Sequence, residues 1–395
     1  MQKHLVPAVV IGGELNGLSV CRSLAAGGIP TYVLDTKRRN PAMWSRYATP
    51  VKTEILRGSQ LILALQHLQK RLGERPVLII TDEMALLTIS EHRESLLDLY
   101  RFRLPPHNTV LMLHDKAEFH KFAMANNLPI PNGAIVSQLD DLLHLDNLRF
   151  PIVIKPADKR YYHLIGVPRL VIAHDLETAQ RVCTDLLRKV GQIIVQERID
   201  GPDSNIYFGL FYRQGNSTVL FTGQKLASMP PGTGSTALCV AVPPGEIRDR
   251  LDFLTHDFLA SVDYIGFGGI EYKWDAMRDR YAIIEPTVGR TDWQEEIASL
   301  CGVNIPLLGY YYECDEPLTY DLSPVYDVIW QGSYVERMKL GRQHLPRYRL
   351  FDGFWRRDDP MPAIVHYPFE FFWSIPAIML GLLQRSLTKR LKRVN

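Results

Sequence analysis

The sequence predicts an α/β protein, with a parallel-sheet domain at the front and a second domain that mixes helices with antiparallel strands. Three observations carry this. The chain opens on strand, glycine turn, helix and strand in succession. Strand-like apolar runs then recur with helical stretches between them, the alternation that builds parallel sheets. Past Pro129 the rhythm changes, and strands follow one another at hairpin spacing.

Ala8-Val9-Val10-Ile11 is a continuous apolar run of the kind a buried central strand needs. Gly12-Gly13 turns the chain, and helical spacing follows through Ala26. Thr31 to Asp35 reads as the second strand, with Asp35 equally readable as a cap. Val77 to Asp82 and Thr109 to Leu113 read as further strands of a parallel sheet covering about 110 residues. The loop Gly12-Gly13-Glu14-Leu15-Asn16-Gly17 does not place its glycines in the GxGxxG register of dinucleotide sites, so a structural βα turn is expected.

A helix is expected from Asp115 to about Asn126, where Leu128-Pro129-Ile130-Pro131 breaks it. Phe150 to Pro156 is a strand ending on Lys155, Asp175 to Val190 an amphipathic helix, and Gln192 to Glu197 a strand entering an acidic turn. Antiparallel strands follow at Asn205 to Tyr212 and Ser217 to Gly223. A helix and two more strands, around Ile270 to Lys273 and Tyr281 to Glu285, complete the domain.

Composition narrows the function classes. At 395 residues and 46% hydrophobic, the chain can bury a large core and is long enough for two or three domains. Lys+Arg 45 against Asp+Glu 43 leaves a charge of +2, which is no footprint for nucleic acid. Cys21, Cys183, Cys239, Cys301 and Cys314 are odd in number and lack a CxxC pair, so neither a disulfide framework nor zinc is indicated. A reducing cytoplasmic setting and no export signal are the expectations.

Phosphoryl transfer from ATP needs cations on the phosphates, acids to hold magnesium and a slot for the base. Lys155 ends an apolar strand, which pins its ammonium at a sheet edge, and Lys225 does the same from another strand. Taken singly, each lysine is more often a solvated strand end. Glu271 and Glu285 end two short apolar strands separated by a charged turn at Asp275 to Arg280, a hairpin spacing that can place both carboxylates on one side. The alternative is a pair of exposed strand-end glutamates; against it, the residues before each glutamate, Gly269-Ile270 and Ile283-Ile284, imply burial, and an unpaired carboxylate is costly to bury.

This ordered set resembles the ATP-grasp superfamily, which includes carbamoyl-phosphate synthetase, biotin carboxylase and the D-alanyl-D-alanine ligases. The likeness covers residues 5 to about 310. It implies a pre-ATP-grasp parallel-sheet domain (1–114), an ATP-grasp domain (115–310) with a small lid subdomain at about 130–200, and a C-terminal extension (311–395). By that resemblance Lys116 contacts ATP, Lys155 contacts phosphate, Gln196, Glu197 and Ile199 hold the adenine, and Asp203 meets the ribose. Lys225 faces the terminal phosphate, Arg290 contacts phosphate or a substrate carboxylate, and Glu271, Glu285 and Thr287 bind Mg2+. The cofactors implied are ATP and Mg2+, and the implied activity is that of a carboxylate–amine ligase similar to the D-aspartate ligase type. An ATP-grasp kinase and a nucleotide-binding regulator stay open as alternatives.

The motif departs from the family at one place. The second acid there opens Glu-x-Asn-x-Arg, whereas this chain reads Glu285-Pro286-Thr287-Val288-Gly289-Arg290. A hydroxyl is a weaker metal donor than an amide carbonyl. Two loops are candidates for substrate selection. Pro230 to Thr236 is rich in glycine and hydroxyls and reads as an anion cradle or a connector, and Ala157 to His163 stands where the family has its phosphate lid, with Lys159, Arg160 and His163 in place of glycines. Asp292, after Arg290, reads as a helix N-cap or a substrate contact.

The extension is rich in aromatics. Its last stretch, Phe371 to Leu383, is too short and too interrupted by Pro376 to span a bilayer. Leu380, Leu383, Leu387, Leu391 and Val394 then recur at helical spacing among basic residues. That pattern suits contact with a membrane surface, or packing on the protein itself or on a second copy in a homo-oligomer.

Overall fold

The computed structural model describes residues 5–158, 161, 166–316, 322–340 and 345–372. The sequence expectations for Lys159, Arg160, His163 and the tail from 373 onward lie outside these residues. By internal contacts the chain forms two compact units. One comprises Met1–Phe102, Lys225–Val242 and Thr291–Asn395, the other Arg103–Gln224 and Pro243–Arg290.

The first unit is built on a four-stranded parallel sheet in the order Thr49–Lys52, Thr31–Asp35, Ala8–Ile11, Val77–Ile80. Every residue of Ala8–Ile11 and Val77–Ile80 is buried, as apolar runs in parallel sheets should be. Thr49–Lys52 escaped the sequence reading because it is an exposed edge strand, where Pro50 is tolerated. The glycine loop is a tight βα turn. Gly12 sits at φ +100°, and a Cβ on Gly17 would lie 2.0 Å from the Gly12 carbonyl oxygen, so helix Leu15–Ala25 can approach the strand only with glycine there. Asp35 organises the same turn, accepting from Gly13 N at 2.5 Å, Lys37 N at 2.8 Å and Asn40 Nδ2 at 2.8 Å.

The later parts of this unit add strand Ser235–Ala241, antiparallel to Val328–Gln331, which pairs in parallel with Arg349–Asp352. A buried charge network ties the extension to helix Leu15–Ala25. Arg22 reaches Glu296 at 3.3 Å and Asp359 at 3.0 Å, Arg356 reaches Glu296 at 2.9 Å, and Trp330 donates to Glu296 Oε2 at 3.1 Å. Asp292 is not the cap of the helix that follows it. That helix runs Glu296–Leu300, and the Asp292 carboxylate instead takes the Trp293 N–H at 2.8 Å within the preceding turn.

The second unit holds two antiparallel sheets. The smaller runs Gly133–Val136, Ile193–Glu197, Ile152–Pro156, Val171–Ala173. Helix Leu176–Leu187, capped by Asp175 at the Thr178 N–H, covers it with Ala179, Cys183 and Leu186 packed on Ile152, Ile154 and Val195. In the larger sheet, Arg280–Val288, Gly266–Asp275, Ile206–Gln214 and the first part of Ser217–Met229 lie side by side.

Thr109 to Leu113 is helical rather than a strand, part of helix His107–His114. A short apolar run has no period of its own. Here Pro105-Pro106 starts a helix, and burial falls on Val110, Leu113 and His114, the spacing of one helical face. Among the described residues no helix is long and apolar enough to cross a membrane.

Candidate functional site

Within the second unit the smaller sheet sets the lysine. Ile152 and Ile154 point into the apolar core, so Val153 and Lys155 occupy the opposite face. The antiparallel register sets Val153 opposite Gln196. Lys155 and Gln196 therefore share that face as diagonal neighbours.

Helix Lys116–Ala125 supplies the next group. Asp115 caps it by accepting the Ala117 and Glu118 N–H groups, both at 2.9 Å, and the Lys116 N–H bonds Ala157 O at 3.1 Å, just past the lysine strand. Lys116, Lys155, Gln196 and Glu285 then line one narrow slot of about 20 Å3, with Leu113, Phe119, Ile284 and Pro286 as its apolar walls. Lys116 Nζ is shielded from solvent. Small-molecule sites are roughly 300 Å3 or more, so the slot must widen to admit a nucleotide.

The acidic hairpin meets the slot at Glu285. Its register places Glu271 directly opposite Glu285 and Thr287 opposite Gly269, with a bulge after Glu271. Residues directly opposed in an antiparallel pair project to the same face, as do residues two apart, so Glu271, Glu285 and Thr287 form one oxygen-bearing patch. The two carboxylates are half-buried, less than the flanking isoleucines led the sequence to suggest. Like charges opposed at a separation of about 5 Å destabilise a sheet unless a cation intervenes. Among the described residues no group of three or more His, Cys, Asp or Glu is gathered for a metal. Two carboxylates and a hydroxyl match an ion that keeps water and phosphate oxygens as its other ligands, as Mg2+ does.

The other expected residues fall as follows. Glu197 is buried, and its carboxylate is held by Arg278 and by the Arg149 N–H at 3.2 Å; although burial opposes ionisation, these partners keep its pKa below the usual value. Ile199 is buried, and Asp203 opens a short 3-10 turn to Asn205. Arg290 is half-buried just beyond the hairpin. Lys225 is only 4% exposed and belongs to the first unit, one residue past Gln224 on a continuous strand.

Two groups escaped the sequence reading. His120 is buried with Nδ1 3.5 Å from Gln196 Nε2, and burial lowers its pKa. Lys273 stands two residues beyond Glu271. Burial, then Arg198, lowers its pKa against the pull of Asp203, Asp200 and Glu271. Strand alternation from Glu271 was the available signal for Lys273; nothing local marked His120.

No family model matches the chain. A D-aspartate ligase from Enterococcus faecium is 23% identical over 322 residues, 75% of this chain and 74% of the relative. Among solved structures, an L-amino acid ligase from Bacillus licheniformis aligns with a TM-score of 0.62 at 16% identity, covering 88% of this chain and 87% of that one. A biotin carboxylase β-γ-ATP complex from Campylobacter jejuni gives 0.65 at 12% identity, covering 82% and 74%. The chain therefore has the ATP-grasp fold, which its ordered lysines and acids resemble.

Proposed function

We propose that this protein is an ATP-dependent carboxylate–amine ligase working through an acyl phosphate. The observation that supports it most is the slot in which Lys116, Lys155, Gln196 and Glu285 meet, with Glu271 directly across the hairpin from Glu285. Lys116 and Lys155 neutralise phosphate oxygens, and the stretch from Gln196 to Ile199 receives the adenine, with Asp203 at the ribose. Since the Glu197 carboxylate is committed to arginines, its contribution falls to its backbone. Glu271, Glu285 and Thr287 are the oxygens offered to Mg2+, which when bound screens the charge of the phosphates. Lys225 and Arg290 are assigned to the transferred phosphoryl group and the substrate carboxylate.

In the first step a carboxylate oxygen attacks the terminal phosphorus and ADP leaves. In the second an amine attacks the acyl carbon, phosphate leaves with its electron pair, and the nitrogen gives up a proton to form the amide. The named relatives, a D-aspartate ligase and an L-amino acid ligase, support an amino acid as the acid, with aspartate the first to test. Attachment to an amine of a cell-envelope precursor belongs to the same reading.

The test incubates the full chain with ATP, Mg2+ and pooled amino acids and follows phosphate release and product mass. Amine-dependent phosphate with an amide product is expected. A phosphorylated product would replace the ligase with a kinase, and nucleotide binding without turnover would make the protein a regulator.

A further inference from the structure

The C-terminal extension, beyond the ATP-grasp motif, builds a cavity of its own in the first unit. It measures about 440 Å3, within the roughly 300–1,000 Å3 of small-molecule sites. Three guanidinium groups line it, Arg337, Arg356 and Arg357, against one carboxylate, Asp352. Asp352 is saturated by donors: Oδ1 accepts from Phe354 N at 2.9 Å, Trp355 N at 2.7 Å and the Tyr367 hydroxyl, and Oδ2 accepts from Gln331 Nε2 at 2.7 Å. Arg356 is fixed by Glu296 at 2.9 Å. Arg337 and Arg357 have no ion pair among the described residues, and the Arg337 guanidinium stacks over the Tyr334 ring at 5.5 Å, which holds its donor edge in place.

Gln331 supplies a second, independent sign of a ligand. It is 3% exposed and lines the cavity. Because a carboxylate only accepts, its bond to Asp352 fixes the amide orientation and leaves Oε1 as an acceptor. That oxygen is buried with no hydrogen-bond partner among the described residues. A buried acceptor left unmatched is destabilising, and a ligand donor would match it. The exposed faces of Trp355 and Tyr334 complete an apolar wall. Residues 373–395 contain no Asp or Glu, so their charge is wrong for filling an arginine-lined cavity.

The geometry points to a binding site for a small oxyanion, a phosphate or carboxylate, whose body also carries a hydroxyl or amide donor. Arg337 and Arg357 take the anion, Gln331 Oε1 accepts from the donor, and Trp355 with Tyr334 covers the body. This goes beyond the ligase reading and stands apart from it.

Calorimetric titration of the full chain tests it, with glucose 1-phosphate and the dipeptide Glu-Glu as probes, inorganic phosphate as the bare anion, and ADP titrated separately. The expected result is saturable binding of glucose 1-phosphate or Glu-Glu, tighter than inorganic phosphate, weakened at least tenfold in Arg337→Ala/Arg357→Ala and several-fold in Gln331→Met. Which probe binds identifies the anion. Arg357→Ala alone, at an exposed position, guards against misfolding, and ADP affinity should stay unchanged in every variant. Absence of binding by both probes, equal affinity for inorganic phosphate, or affinity unmoved in the double variant would each overturn the proposal. Loss of ADP binding in the unmutated chain would sink the nucleotide reading and leave this one standing.

Discussion

Glu296 and Glu285 are both glutamates at the edge of an apolar core, and the two units treat them in opposite ways. Glu296 is closed in, its carboxylate shared by Arg22, Arg356 and the Trp330 indole. Glu285 is half-buried, lines a slot beside two lysines, and faces a second carboxylate across the hairpin. A carboxylate matched by cations of its own chain holds the chain together. The other, set opposite a like charge and lining a slot beside two lysines, is the one we assign to Mg2+.

Glu285→Gln puts that contrast under the greatest load. Turnover should fall about ten-thousandfold, ~5.5 kcal/mol in the barrier, while the melting temperature stays within a few degrees. Glu296→Gln should do the reverse. It leaves Arg356 without its carboxylate and Arg22 with Asp359 alone in a buried network, and costs about 3–5 kcal/mol of stability, read by denaturant unfolding, with turnover per folded molecule retained. If both variants behave alike, the distinction fails.

The two regions also differ in how far the sequence disclosed them. The acidic hairpin was legible because strand alternation, a charged turn at Asp275 to Arg280 and two acids at fixed spacing are all local signals. Lys155 was legible as the polar end of an apolar strand, and the helix after Asp115 by its break at Pro129 and Pro131. Thr109 to Leu113 was misread because a threonine and four apolar residues in a row carry no period. The strands Val328–Gln331 and Arg349–Asp352 went unread because each is only four residues long. The pairing of Gln331 with Asp352 and of Arg22 with Asp359 joins residues far apart in the chain, and no window of sequence contains both.

A smaller effect separates the units by pH. Burial, then the neighbouring Glu370, raises the Glu336 carboxyl from 4.5 to about 7 in the extension. The folded state holds this proton more tightly than the unfolded chain. Its contribution is complete below pH about 4.5 and is lost as pH rises through about 7. Glu336→Gln should flatten the decline in melting temperature across that window and leave nucleotide affinity unchanged. An unaltered pH profile would contradict the burial of this group.

The smallest expected change is at Thr287. Thr287→Asn exchanges a hydroxyl for an amide carbonyl on the same face as both acids, and should lower the Mg2+ concentration at half-maximal activity a few-fold. An unchanged Mg2+ dependence would remove Thr287 from the metal patch without touching the glutamates.

Acyl-phosphate chemistry itself is tested most directly by oxygen transfer. The amino acid that drives phosphate release is supplied with 18O in its carboxylate, and the phosphate formed is analysed by mass. The account predicts one 18O atom in each phosphate released, because the carboxylate oxygen that attacks phosphorus leaves with it. Unlabelled phosphate accompanying amide formation would contradict it.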